Sequence, residues 1–391
     1  MTARSFVSMV LLVAASCPLP ANAHDPSAWG GLFRSRDDGA SWFPADAGLF
    51  IGAALGVAVH PQDGNHLLYG TDTRLLRSRN GGRDWVTEAP NTLIGAVFAV
   101  AFAPDGIGGL ASSGTRIFYS VEGSNWQDAL APAGAAPARA FVNGSPTARV
   151  YLAGAHGLFA SNDGGRSWSR VAEGVLPEAP VGALLVVAGP PEIVYAVIDG
   201  KIWAGSDGGK TWHARGQQAG VDTLIADSKR SGRLWSVAAD QVFVSDDAGG
   251  TWKAHGRPLP EKDTSVRGLA VAEEGSIIVL STHRGVLRSA DGGQSWVQIE
   301  GTLPVHLEAG PLVRDRHDAA TLYAGFSLTP YAEMWRRAEQ GGSLLSQLDT
   351  LSLAGGLAFL ILLLVLGIMA TRWLSRRFGD TPSVAVKREN T

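Results

Sequence analysis

Ser161-Asn162-Asp163-Gly164-Gly165-Arg166-Ser167-Trp168 decides how this chain folds, because the chain writes the phrase seven times. The copies run Ser35–Trp42, Ser78–Trp85, Ser120–Trp126, Ser161–Trp168, Gly205–Trp212, Ser245–Trp252 and Ser289–Trp296. Their tryptophans are 43, 41, 42, 44, 40 and 44 residues apart. A period of that length means one supersecondary unit copied along the chain. Within each copy the acidic residue sits at a turn tip, where a carboxylate accepts hydrogen bonds from backbone N–H groups. The glycines allow positive φ, and the tryptophan caps the unit with a large apolar ring.

The turn-tip positions are Asp37, Asn80, Glu122, Asp163, Asp207, Asp247 and Asp291; the tryptophans are Trp42, Trp85, Trp126, Trp168, Trp212, Trp252 and Trp296. Asn80 and Glu122 depart from Asp, the third copy is one residue short, and Gly205 replaces the first Ser of the fifth. Such drift suits a structural staple better than a reaction centre.

Working outward, short runs rich in β-branched and aromatic residues flank each copy. Leu55–Val59 precedes Leu67–Gly70; Val150–Gly154, Ile193–Ala196 and Thr321–Gly325 are further second strands. Four strands in a period of about 42 residues predict a propeller blade. The first box lacks first and second strands before it, and the pair near Leu307–Ala324 lacks a good box after it. The fold expected is all-β: a seven-bladed propeller over 24–345, closed when the N-terminal hairpin completes the last blade. Trp335–Leu344 aligns weakly as an eighth, decayed box, with an extra strand or simply the exit to the membrane as the alternatives.

The ends set the expected compartment. Arg4, the apolar run Phe6–Ala15 and Ala21-Asn22-Ala23 read as a signal peptide over 1–23, with the lipoprotein reading of Cys17 the lesser alternative. Cleavage after Ala23 would leave no cysteine. Leu351–Thr371 carries no charge over a length that spans a bilayer. Arg372, Arg376, Arg377, Lys387 and Arg388 follow it and mark the cytoplasmic side. The expectation is thus a linker and transmembrane helix over 346–371, a cytoplasmic tail over 372–391 and a propeller on the extracytoplasmic side of the inner membrane. Of 36 acidic residues, Asp380 and Glu389 lie in the tail; the exported part holds 34 against 27 basic ones, net −7. That balance argues against nucleic-acid binding.

No nucleotide-binding loop, serine-hydrolase elbow, zinc-protease helix or Cys pair occurs. His60 and His66 bracket a turn and read as surface polar residues. His24 would become the mature N-terminus, yet no second histidine is placed to complete a copper site, so no metal or cofactor is expected. One constellation stands out: Arg74, Arg116, Lys201 and Gln241 each lie four residues before a box, with His156 and Arg284 one position earlier. In a propeller these turns open on the face opposite the boxes. The competing reading is simply that turn residues are polar. The functional reading is a basic rim that recognises an anionic or C-terminal segment of a partner.

The boxes resemble the Asp-box, or bacterial neuraminidase repeat. It is shared by sialidases, xyloglucan-cleaving glycosidases, sortilin-like receptors and the photosystem II assembly and stability factors of plants and cyanobacteria. The resemblance covers roughly residues 30–345 and specifies blades far better than function. Sialidases carry an Arg-Ile-Pro motif, to which Arg116-Ile117-Phe118 is the nearest approach. Sortilin-type receptors add a cysteine-rich module, and the xyloglucan enzymes a second ring. The assembly factors are single exported rings with a basic patch and no enzymatic activity, though they usually lack a C-terminal membrane helix. That likeness implies a non-catalytic binding scaffold serving a membrane protein complex. A sialidase-like glycoside hydrolase and a cell-envelope receptor or adhesin are the alternatives.

Overall fold

The computed structural model of the protein describes residues 30–46, 48–144, 149–216, 219–340 and 350–378; within the last range, side chains are described at Phe359 and over 361–374. The expected signal peptide and Cys17 lie outside the described residues. The chain divides into two compact units, Met1–Gly341 and Gly342–Thr391.

The first unit is a seven-bladed propeller of four-stranded antiparallel sheets. Blade 1 runs Ala54–Val59, Leu67–Thr71, Leu75–Ser78 and Val86–Glu88, from the innermost strand outward. The innermost strands of blades 2 to 7 are Val97–Phe102, Ala140–Asn143, Val181–Val187, Val221–Ala226, Val266–Ala272 and Glu308–Arg314. Each touches the next, and the seventh touches the first, so the ring closes.

Closure uses the N-terminal hairpin, as its missing partners required. Gly31–Ser35 pairs antiparallel with Leu322–Ser327, from Gly31 opposite Phe326 to Ser35 opposite Leu322. Phe43–Pro44 forms the outer edge of that blade. Phe33 and Phe326 meet edge-to-face at 5.2 Å across the seam. A carboxylate welds the hairpin to blade 1: Asp46 accepts from Leu32 N (2.9 Å) and Tyr69 Oη (3.1 Å).

Alternation along each strand sends side chains into the seams between blades. Second strands supply the large fillers: Tyr69, Tyr151, Tyr195, Trp235 and Tyr323 are all buried. Across the seam of blades 2 and 3, Ala99, Leu110 and Ile117 pack with Phe141, Leu152, Phe159 and Trp168.

Two differences from the sequence reading appear. Trp335–Leu344 is not a box hairpin, because Tyr331–Glu339 is a helix, α1. Pro330 precedes it, and Glu333 bonds Arg336 and Arg337 three and four residues on, a pattern that supports helix and has no use in a turn. The rest of that stretch, 341–344, lies outside the described residues. His66 is buried rather than at the surface. It stacks on His60 (4.7 Å), lies edge-on to Phe102 (4.8 Å), and faces Arg77 Nη1 at 2.7 Å.

The second unit holds a helix, α2, Thr350–Phe378. Its described side chains, Phe359 and 361–374, are all exposed. Among the described residues no helix is long and apolar enough to cross a membrane.

Candidate binding face

Antiparallel blades force a division of the loops. The box turns and the turns joining first to second strands lie on one face. The turns joining second to third strands, and the long connections between blades, lie on the other.

The box turns satisfy themselves. Asp163 Oδ1 accepts from Ser167 N (3.0 Å) and Ser161 Oγ (2.7 Å), and Oδ2 accepts from Ser167 Oγ. Ser161 Oγ in turn accepts from Gly165 N (2.8 Å), and Trp168 Nε1 donates to Gly165 O (3.0 Å). Gly164 and Gly165 hold φ of 74° and 93°. Asp37, Asp247 and Asp291 repeat this geometry. Partial burial pushes the Asp163 carboxyl up, but the bonds from Ser167 and Ser161 outweigh it and hold it at about 2. The Thr251 N–H and hydroxyl hold Asp247 at about 2, and the Ser295 hydroxyl and N–H hold Asp291 there too. Carboxylates so committed to a turn are poor proton-transfer groups near neutral pH.

The irregular boxes are rewired. Asn80 Oδ1 accepts from Arg83 N and Asp84 N, while its amide donates to Asp84 Oδ2 (2.7 Å). Asp207 keeps the Thr211 bonds without the missing first Ser. In the short third box Ser120 Oγ is buried without a partner. Trp126 Nε1 there reaches Glu88 on the previous blade (3.0 Å), just as Trp85 Nε1 reaches Ala45 O (2.8 Å).

The opposite face carries the residues singled out for binding, and they are not equivalent. Arg74 is exposed beside Asp72, and its backbone bridges to Ile94 of the next inter-blade connection. Lys201 is exposed at the start of its strand. His156 is exposed, with its carbonyl held by Arg170 Nη1 (2.6 Å). Arg116 leans outward, pairing with Asp128 on the outermost strand and lying 4.8 Å over the Phe118 ring. Arg284 pairs with Glu261. Gln241 is half-buried and donates to Val242 O and His255 O. The turns bring these groups to one face, but Arg116 is taken up by Asp128 on the outermost strand of its own blade and Arg284 by Glu261 on the connection leading into blade 6. Exposed apolar side chains share the face: Leu49, Phe50, Ile94, Val175 and Val305 on inter-blade connections, and Leu328 after a second strand.

α1 sits over the inner strands of this face, a feature the sequence reading missed. Tyr331 is buried, its hydroxyl donating to Ala54 O (2.6 Å) and its N–H to Glu308 Oε2 (2.8 Å). The Arg267 guanidinium lies 5.2 Å over its ring and bonds Glu308 at 2.9 Å. Trp335 packs on Phe98 (4.6 Å), with Arg139 over its ring at 4.6 Å. Gly310 makes room, since a Cβ there would overlap the Tyr331 ring. These partners lie on or next to the inner strands of blades 1, 2, 3, 6 and 7, so α1 covers much of the channel mouth. The helical signal was present in Pro330 and the Glu333–Arg336–Arg337 spacing. Box periodicity masked it.

The DUF6242 beta propeller domain family matches residues 125–285. No curated protein matches the sequence. Among solved structures, one of YCF48 bound to D1 peptide is 16% identical, with a TM-score of 0.52, covering 72% of this chain and 94% of that one. YCF48 from Cyanidioschyzon merolae is 13% identical, with a TM-score of 0.52, covering 71% and 97%. AFV00434, an ancestral GH74 enzyme, is 16% identical, with a TM-score of 0.48, covering 72% and 53%. The two YCF48 likenesses show that the chain shares their propeller fold.

Proposed function

We propose that this chain is a non-catalytic, membrane-tethered binding propeller. It holds an exported segment of a membrane protein in the manner of an assembly or stability factor. The observation that carries the reading is the contrast between the two faces. The Asp carboxylates of the boxes are consumed by their own turns. The opposite face presents exposed apolar side chains around the exposed cations Arg74 and Lys201. Mixed apolar and cationic surface on a rigid ring suits a peptide segment with an anionic group, and rigidity keeps the ordering cost on the protein side low. The D1 peptide bound in the YCF48 structure supports the same use of the fold.

In this reading residues 1–23 export the chain, 24–345 form the ring, Leu351–Thr371 spans the inner membrane and 372–391 stay cytoplasmic. Tethering confines ring and partner to one plane and raises their effective concentration. Changing Arg74, Arg116 and Lys201 together to Ala is expected to weaken partner retention from solubilised membranes, most clearly at low salt, with little change in melting temperature. Unchanged retention at low salt removes the cations from the account.

A further inference from the structure

Blade 6 carries a cleft on the same face whose polar groups the proposed partner binding does not rest on. It has a volume of about 370 Å³ and is lined by Glu261, His283, Arg284, Gln298, Val305 and His306. That is within the size of small-molecule sites, roughly 300–1,000 Å³. Its lining comes from the turn His283–Arg284, the outermost strand of blade 6 and the connections before and after that blade.

Two observations bear on what it takes. First, donors are in excess. His283 Nδ1 faces Ser265 N at 3.1 Å, and His283 Nε2 faces Arg284 Nε at 3.1 Å. A neutral imidazole accepts at only one nitrogen. Whichever tautomer forms, one N–H points at another donor. A negatively charged oxygen that approaches the ring and the guanidinium from the open side of the cleft gives the unmatched N–H an acceptor. Second, Arg284 already holds a carboxylate, that of Glu261, with the two side chains 53% and 46% exposed. An ion pair so open to water is held weakly and exchanges readily. The guanidinium fork fits a planar carboxylate on two donors. Gln298 Nε2 donates to Arg284 O (2.9 Å) and steadies the turn that presents the fork.

We propose that this cleft binds a small carboxylic acid, whose carboxylate takes the place of the Glu261 carboxylate on Arg284 and accepts from the His283–Arg284 donors. Glu261 is then an internal competitor. This inference goes beyond partner binding and stands without it.

The test follows the Arg284 Nε–H resonance of ¹⁵N-labelled protein, assigned by its loss in Arg284→Lys, during titration with succinate, with neutral succinamide as the shape control. Saturable shifts are expected with succinate and none with succinamide. Glu261→Gln, which removes the competitor, is expected to tighten succinate binding at least several-fold. In Arg284→Ala, followed through backbone resonances of the 283–285 turn, the response is expected to disappear. Melting curves of both variants control for folding. No saturable response in either wild type or Glu261→Gln, or a Glu261→Gln variant that binds no tighter, overturns the proposal. Inorganic phosphate binding as tightly as succinate overturns the assignment to carboxylates. None of these outcomes bears on retention of the partner, which the Arg74, Arg116 and Lys201 variant reads separately.

Discussion

Asp163 and Glu122 stand at matching places in two boxes yet have different surroundings. Asp163 accepts three turn hydrogen bonds, from Ser161 Oγ, Ser167 N and Ser167 Oγ, and the nearby Arg166 N–H also helps to hold its pKa low. Glu122 is exposed in a turn one residue shorter, and beside it Ser120 Oγ has lost its partner. Asp163→Ala is therefore expected to cost about 1–3 kcal/mol, the range for stranding turn donors, while Glu122→Ala changes stability by less than about 0.5 kcal/mol. Denaturant midpoints of the two variants check this, and equal losses contradict it. Residue identity in the boxes was legible in the sequence because each copy repeats the same local hydrogen-bond problem. The side-chain directions of Arg116 and Arg284 were not, since the carboxylates that capture them, Asp128 and Glu261, belong to other elements whose register the sequence does not print.

Among elements, the N-terminal hairpin and α1 each join parts of the chain far apart in sequence. Asp46, which ties the hairpin to blade 1, is pushed up to about 6 by burial, against the bonds from Leu32 and Tyr69 that favour its charge. A folded pKa above the unfolded one means the native state holds the extra proton, so this group's contribution falls as pH rises from about 4 to 6. His66 acts in the opposite sense. Burial and then the Arg77 charge lower it to about 4, so the unfolded state takes up the proton first. Its contribution is fully present above pH 6.5 and is lost as pH falls toward 4, at most about 3 kcal/mol. Asp46→Asn removes the falling component and is expected to make stability rise more steeply between pH 4 and 6 than in wild type. Urea midpoints across that range measure it, and parallel curves for the two proteins contradict the assignment. For α1, Tyr331→Phe leaves Ala54 O without its donor and is expected to cost about 1–3 kcal/mol, whereas Trp335→Ala also removes the Phe98 and Arg139 contacts. The hairpin was legible because two incomplete blades imply each other. α1 was not, because the groups that hold it are spread over five blades.

On the scale of the whole molecule, closure of the ring makes every inner strand a neighbour of two others and leaves blade 7 dependent on the N-terminus. Deleting 30–45 uncovers the Leu322–Ser327 edge, an open template for pairing with other chains. The shortened protein is expected to melt lower and to elute as aggregates in size-exclusion chromatography; an unchanged monomer would place the seam elsewhere. The division into two faces follows from the same antiparallel geometry, and in the proposed function the partner is held on the face opposite the boxes. Site-specific photo-crosslinking in intact cells tests this most directly, with the crosslinking residue at Ile94 on that face and at Val121 in a box turn, both exposed. The account predicts a discrete adduct from position 94 that diminishes in the Arg74, Arg116 and Lys201 triple-Ala background, and none from position 121. An adduct from position 121 with none from position 94 would contradict it.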